Sequence, residues 1–358
     1  MTDTVLLLDN DAIQSVFDVE SCLKALEQAY RAQSAGRAVV RQRTQSYVPL
    51  DEPDTLYCLK TMEGALFDGD YMALRITSDI VGETRVNGEQ RREKLPRGPG
   101  DTYCGLIMLF SLKRLAPVAI IQDGYLQTYR VACTSALSAR LLACEDAGDL
   151  GLLGSSGQAW AHLVAMNAMF SLRQVRVFSP TPANRQSFAR RAREELGIAV
   201  TAVDTAHDAV ADADLVVMAT NTVQPIIKGE WIAPGAHVIS ILSDDDKNPR
   251  REIDDETVRR SALVVAHSKE AAQAQKQRDL WDPVQAGILR WEDIHDLSEV
   301  MTGRASGRKR AEDITLFKNN IGIGLQFAAV APQVYERARA ARAGHEVPAE
   351  WFLQKMKA

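Results

Sequence analysis

Three adjacent aspartates, Asp244, Asp245 and Asp246, follow the apolar, β-branched run HVISIL at 237–242. The carboxyl end of a parallel strand is where open α/β sheets bind and act on ligands, so one of the three is a candidate to move a proton. A solvated surface turn is the other reading of the same cluster. Elsewhere, cations stand among apolar neighbours: Arg43 in RQRTQSYVP, Lys60 in LYCLKTMEG, Arg75 in YMALRITSD and Arg130 in DGYLQTYRVACTSALSARLLA. A cation is costly to bury unless an anion meets it. Each of these therefore faces water, pairs with a structural carboxylate or holds an anionic ligand. Arg130 is expected to open a helix of small residues, where a guanidinium fork can hold a carboxylate bidentately.

A further constellation is LGLLGSSGQA at 150–159. Leu150, Leu152 and Leu153 enter a small-residue turn of Gly154, Ser155, Ser156 and Gly157, after which 158–170, beginning with Gln158, has helical periodicity. Strand, tight turn and helix in that order aim unpaired N–H groups at a phosphate. The match to the dinucleotide fingerprint is imperfect, because Ser156 holds the second glycine position and Gly157 comes one place late. An NAD site carries Asp or Glu after the next strand, read here at 175–178. The chain instead runs Ser179, Pro180, Thr181, Pro182, Ala183, Asn184, Arg185 without a carboxylate. The hydroxyls of Ser179 and Thr181 and the Arg185 cation suit a 2′-phosphate, so NADP is expected in preference to NAD. The alternative is that Arg185 starts the next helix facing water.

Around these residues, short strands at 175–178, 199–203, 214–219, 237–242 and 263–266 alternate with helix-length segments, which implies βαβ crossovers and a parallel sheet. The preceding part reads differently. Thr4–Leu8 is a predicted strand, Val19–Ser34 a predicted amphipathic helix, and 39–48, 55–62 and 71–78 alternate as sheet strands; 106–110 and 118–123 form a predicted hairpin. The polar stretch 79–105 is expected to be a lid or a partly disordered loop with a solvated charged face, and no function is legible in 275–310. At 358 residues two domains are expected. A net charge of −5 gives no reason to expect nucleic acid or an anionic membrane as partner. No run approaches the ~20 apolar residues of a membrane span, and a cytoplasmic location is expected. Five scattered cysteines suggest neither a disulfide framework nor a metal site and read as buried small hydrophobes.

The segments GLLGSSGQAWAHLVA, DGYLQTYRVACTSALSARLLA, ADLVVMATNT, GEWIAPGAHV and DITLFKNNIGIGLQ together resemble the landmarks of the ornithine cyclodeaminase/mu-crystallin family over nearly the whole chain. The resemblance implies an α/β homodimer with a Rossmann-type doubly wound parallel sheet at 131–319. A mixed α+β substrate-binding and dimerisation domain would comprise 1–130 with 320–358. Arg130 matches the family's substrate arginine, Arg43 (with Arg41 the alternative) an earlier substrate contact, and Arg75 stands where lysine is common. Asp244 best matches the catalytic aspartate, and the long DDDKNPRREID turn keeps Asp245 and Asp246 in contention. Thr220 and Asn221, with Asn320 and Gly322, join Gly154–Gln158 as expected cofactor contacts. Lys60 stands where ornithine-cyclising members carry an acid, which implies a more anionic substrate. The implied activity is hydride exchange with the α-carbon of an amino acid or its imine, as an imine reductase or amino-acid dehydrogenase whose small-molecule substrate is an amino acid, keto acid or imine. Ornithine cyclodeamination and a non-catalytic, mu-crystallin-like ligand carrier are the alternatives.

Overall fold

In the helix Val19–Ser34 the residues Cys22, Leu23, Leu26, Ala29 and Tyr30 recur at helical spacing and are all buried. Asp18 caps it by accepting the Ser21 N–H at 2.9 Å, a contact worth about 1 kcal/mol. This helix and Leu325–Ala341 pack on each other, and the second also packs on a mixed sheet. The sheet runs His345–Pro348, Thr4–Leu8, Ala116–Gln122, Cys104–Ser111, Tyr71–Val86, Leu56–Leu66, Ala38–Val40, with Thr44–Pro49 and Glu89–Leu95 attached to Leu56–Leu66 and Tyr71–Val86. The structure is a computed structural model that describes residues 4–86, 89–244 and 249–356. These elements belong to one unit, Met1–Arg130 with Gly322–Ala358, and Val131–Ile321 forms another.

Four expectations are corrected. The strand expected at 39–48 is two strands, Ala38–Val40 and Thr44–Pro49, both on Leu56–Leu66. The chain breaks between them because Gln42 bridges to Ile323 of the returning C-terminal segment. The expected loop 79–105 is largely a hairpin: Tyr71–Val86 continues through it and Glu89–Leu95 pairs back from Val86↔Glu89 to Ile80↔Leu95. The β-branched residues Ile80, Val81 and Thr84 sustain the strand, and the charges of 79–105 are partly paired, Lys94 with Asp79 at 2.9 Å and Arg97 with Glu52 at 2.8 Å. Arg130 does not open its helix, which spans Gly124–Leu142. Among the cysteines, Cys104 is exposed and Cys144 half-buried, so only Cys22, Cys58 and Cys133 are core hydrophobes.

The second unit is a parallel sheet in the order Val200–Ala202, Gln174–Phe178, Asp149–Leu153, Leu215–Met218, His237–Ser240, Ile314–Lys318, Ser261–Ala266, Ile294–Asp296. The order reverses between Asp149–Leu153 and Leu215–Met218, the switch point at which doubly wound sheets bind ligands. The Rossmann-type α/β class expected from the sequence is the observed one. Two of its strands, Ile314–Lys318 and Ile294–Asp296, lie outside the strands expected from the sequence. No helix of the described residues is long and apolar enough to cross a membrane.

Close backbone packing seats the helix Leu325–Ala341. A Cβ on Gly324 would stand 1.9 Å from the Glu63 carbonyl oxygen, and one on Gly64 2.5 Å from the Gly324 carbonyl carbon. Gly324→Ala is therefore expected to destabilise the protein by roughly 3 kcal/mol or more, the upper range of overpacking. Urea unfolding measures this, and a variant as stable as the parent would contradict the packing.

Candidate functional site

In the first unit the antiparallel register sets Lys60 opposite Thr77 and Met62 opposite Arg75, so Lys60 and Arg75 project from one face of the sheet. Arg75 is buried and paired with Asp123, Nε and Nη2 each 2.6 Å from Oδ2. Asp123 enters where Gly105 lacks a side chain, since a Cβ there would lie 2.1 Å from its Oδ1. Arg130 is 2% exposed; its Nη1 donates to Gln326 Oε1 at 2.5 Å, and Gln326 Nε2 donates to the Tyr30 hydroxyl at 2.9 Å. The guanidinium carbons of Arg75 and Arg130 lie 5.1 and 5.3 Å from the centre of the Phe327 ring. Burial first, and the neighbouring Arg75 charge second, push Arg130 down to about 9. Lys60 is largely buried and 3.8 Å from Asp79. Burial, then the charges of Arg43 and Lys94, hold its ammonium below the ordinary lysine range. Gly322, at φ +90°, gives Arg43 room: the Arg43 Cδ lies 3.5 Å from where a Cβ would be. Arg43, Lys60, Arg75 and Arg130 thus form one electrostatic cluster. An anion bound among them would relieve the repulsion that lowers Arg130 and Lys60.

In the second unit the strand Asp149–Leu153 turns at Gly154, whose φ of +112° and 2.2 Å approach to the Ala219 carbonyl exclude a side chain. Ser156 precedes the helix Gly157–Met169, which no side chain caps. Gly157 faces open space, so the late glycine keeps the helix start clear. The Ser155 hydroxyl donates to the Ser179 hydroxyl at 3.0 Å, joining the first turn to the end of the next strand. These features fit a dinucleotide's pyrophosphate at the first turn. Arg185 does not face water: it is buried, donates to the Ser179 carbonyl at 3.0 Å and pairs with the exposed Asp204. Thr181 precedes the helix Pro182–Leu196. Thr220 commits its N–H and hydroxyl to Glu252, at 3.0 and 2.7 Å, and Asn221 is exposed. Asn320, at φ +61°, donates its side-chain amide to the Ile241 carbonyl at 3.1 Å.

Asp244 is 2% exposed, and its Oδ2 accepts the Arg278 N–H at 2.9 Å at the start of the helix Arg278–Gln285. Burial raises its carboxyl to about 7, against an opposing pull from Lys318. Asp245 and Asp246 lie outside the described residues. Among the described residues no group of three or more His, Cys, Asp or Glu side chains is arranged to hold a metal.

The model of the ornithine cyclodeaminase/mu-crystallin family matches residues 4–342. The chain belongs to that family. It is 25% identical over 343 residues to the alanine dehydrogenase of Archaeoglobus fulgidus, covering 96% of this chain and 98% of the relative. It is also 29% identical over 238 residues to a Delta(1)-pyrroline-2-carboxylate reductase of Bacillus cereus, covering 66% and 72%. Among solved structures, the Thermococcus litoralis Delta(1)-pyrroline-2-carboxylate reductase in complex with NADH and L-proline superposes with a TM-score of 0.82 at 26% identity, over 96% of this chain and 100% of the other. This ornithine cyclodeaminase/mu-crystallin family member carries residues near its candidate sites that sequence reasoning missed. They are Tyr30, Asp79, Lys94, Asp123, Gln326 and Phe327 in the first unit, and Glu252, Asp279 and Lys318 in the second. Lys318 had a signal: it is the one charge in the otherwise apolar or hydroxylic strand ITLFK.

The raised Asp244 value has a stability consequence. A carboxyl ionising at about 7 when folded and near 3.9 when unfolded stabilises the fold fully below the unfolded value and loses that contribution as pH rises through the folded one. Asp244→Asn, which mimics the neutral acid, should gain stability over the parent at about pH 8 and show no such gain at about pH 4. Urea unfolding at both pH values tests this, and an equal difference at the two would contradict it.

Proposed function

We propose that the protein is a nicotinamide-nucleotide-dependent oxidoreductase exchanging hydride with the α-carbon of an amino acid or its imine, an imine reductase or amino-acid dehydrogenase. The observation that carries this reading is Arg130, a buried guanidinium whose charge is disfavoured where it stands and which a substrate carboxylate would stabilise. Membership of the family and the names of its relatives, alanine dehydrogenase and Delta(1)-pyrroline-2-carboxylate reductase, support the reaction class. The nicotinamide, when bound, supplies or accepts the hydride. Arg130, with Arg43 and Arg75, holds the carboxylate and orients the α-carbon. Asp244 gives a proton to the imine nitrogen as the carbon takes hydride, or removes one in the reverse direction, a role matched to a carboxyl near 7. The turn Gly154–Gln158, with Thr220, Asn221, Asn320 and Gly322, is the proposed nucleotide contact set.

The substrate is anionic beyond its α-carboxylate in this reading, because burial and then the positive charges of Arg43, Arg75 and Lys94 lower Lys60 and Arg130, and an added anion would relieve both. A panel of keto acids with ammonia or methylamine and reduced cofactor should show dicarboxylic acids ahead of diamino acids. In the same assay, Arg130→Ala should lose on the order of 2 to 5 kcal/mol of transition-state binding. A profile led by ornithine or lysine, or near-parental kcat/KM in Arg130→Ala, would overturn the assignment. The assembly is a homodimer, with a second copy covering the outer sheet face where Leu59 and Leu106 are exposed.

NADP is the preferred cofactor in this reading, supported by the hydroxyls of Ser179 and Thr181 and the Arg185 guanidinium. The Asp204 carboxylate on Arg185 tempers that preference. The NADPH/NADH ratio of kcat/KM should exceed one in the parent, fall in Arg185→Ala and rise in Asp204→Ala. A parent that prefers NADH, or a ratio insensitive to both changes, would refute it.

A further inference from the structure

Three neighbouring parallel strands of the second unit end in register, Met218 beside Ser240 and Ser240 beside Lys318. Lys318 is 1% exposed, and its ammonium donates to three acceptors: Asp279 Oδ2 at 2.7 Å, the Ser240 hydroxyl at 3.1 Å and the Leu242 carbonyl. Asp279 in turn accepts the Glu252 N–H at 2.9 Å. The fully buried Glu252 side chain gathers donors from two loops. Its Oε1 meets the Thr220 N–H and hydroxyl, and its Oε2 meets the N–H groups of Ile241 and Leu242 at 3.1 and 3.0 Å with the Ser240 hydroxyl at 2.9 Å.

We propose that Lys318, with Asp279 and Glu252, is a positioning group that fixes the loops carrying Thr220, Asp244 and Asn320 relative to one another at the carboxyl ends of these strands. Each loop is tied by a named contact. Thr220 is held by Glu252. Asp244 rests on the N–H of Arg278, the residue before Asp279. Asn319, next after Lys318, donates its N–H to the Ser240 carbonyl at 2.9 Å, and Asn320 holds the Ile241 carbonyl. A buried ion pair is a poor source of stability, since apolar residues of similar volume usually serve as well or better. Its presence under three loops at a ligand-binding edge therefore points to geometry. The role in proton transfer rests on the reading of Asp244 given above, whereas the role in nucleotide binding does not. The charged groups acting on Asp244 are Lys318 from its strand and Asp279 from its helix, with the backbone N–H groups of Arg278 and Arg250, and Lys318 is the largest of these influences.

The test compares Lys318→Met, Asp279→Asn and the double variant Lys318→Met/Asp279→Asn. The double variant removes both charges of the pair and remains informative if Lys318→Met alone does not fold. Thermal unfolding, the Kd for NADPH without substrate, and the pH dependence of kcat/KM are measured in each. The double variant is expected to melt near the parent yet bind NADPH roughly 10-fold more weakly, a loss of about 1.4 kcal/mol. The pH at which Asp244 ionises should move up in Lys318→Met, and by less in the double variant because the opposing Asp279 charge is also gone, with turnover lower by roughly 10². A double variant with parental Kd and a parental pH profile would overturn the proposal, leaving the cluster merely structural. Weakened NADPH binding alongside a parent that reduces no imine would retain the loop clamp and sink the proton role of Asp244 instead.

Discussion

Taking an ion out of water costs several kcal/mol even after the protein relaxes around it, and both units of this protein bury ions at the residues proposed to act on substrate. In the first unit the cost is met in part by Asp123 on Arg75 and Asp79 on Lys60 and Lys94. Arg130 is supported by Gln326 and by the Phe327 face. In the second unit Lys318 is saturated by three acceptors, while Asp244 is left with little compensation and is pushed towards its neutral form. Burial and then like charges lower Arg130 and Lys60 in the first unit, and burial raises the Asp244 carboxyl to about 7 in the second.

Glycine positions make these clusters reachable. Gly105 admits the Asp123 carboxylate beneath Arg75, and Gly324 lets a helix start against the backbone of Leu56–Leu66, which sets Gln326 and Phe327 under Arg130. Gly154 does the equivalent at the proposed nucleotide turn. In each case the absent Cβ decides how closely two backbones or a charge and a backbone approach.

Much of this was legible in the sequence where a period carried it. Thr4–Leu8 and Val19–Ser34 fall where alternation and helical spacing put them, and the parallel sheet follows from strands alternating with helix-length segments. The failures have long-range causes. Nothing local to 39–48 announces that Ile323 interrupts it at Gln42, and the polarity of 79–105 hides a hairpin whose charges pair with Asp79 and Glu52. Arg43, Lys60, Arg75 and Arg130 were identifiable as cations in apolar company, but not that Asp79 and Asp123 already meet Lys60 and Arg75. Glu252 and Asp279 sit in segments polar enough to read as surface, and only the fold reveals that Lys318 draws them inside.

The most direct test of the account is the fate of the hydride. Reduced nicotinamide cofactor deuterated at the transferring position is incubated with the protein, a dicarboxylic keto acid and ammonia, and the product is examined by mass spectrometry and NMR. The account predicts an amino acid carrying one deuterium on its α-carbon. A labelled 2-hydroxy acid, or cofactor that binds without transferring its label to any imine, would contradict it.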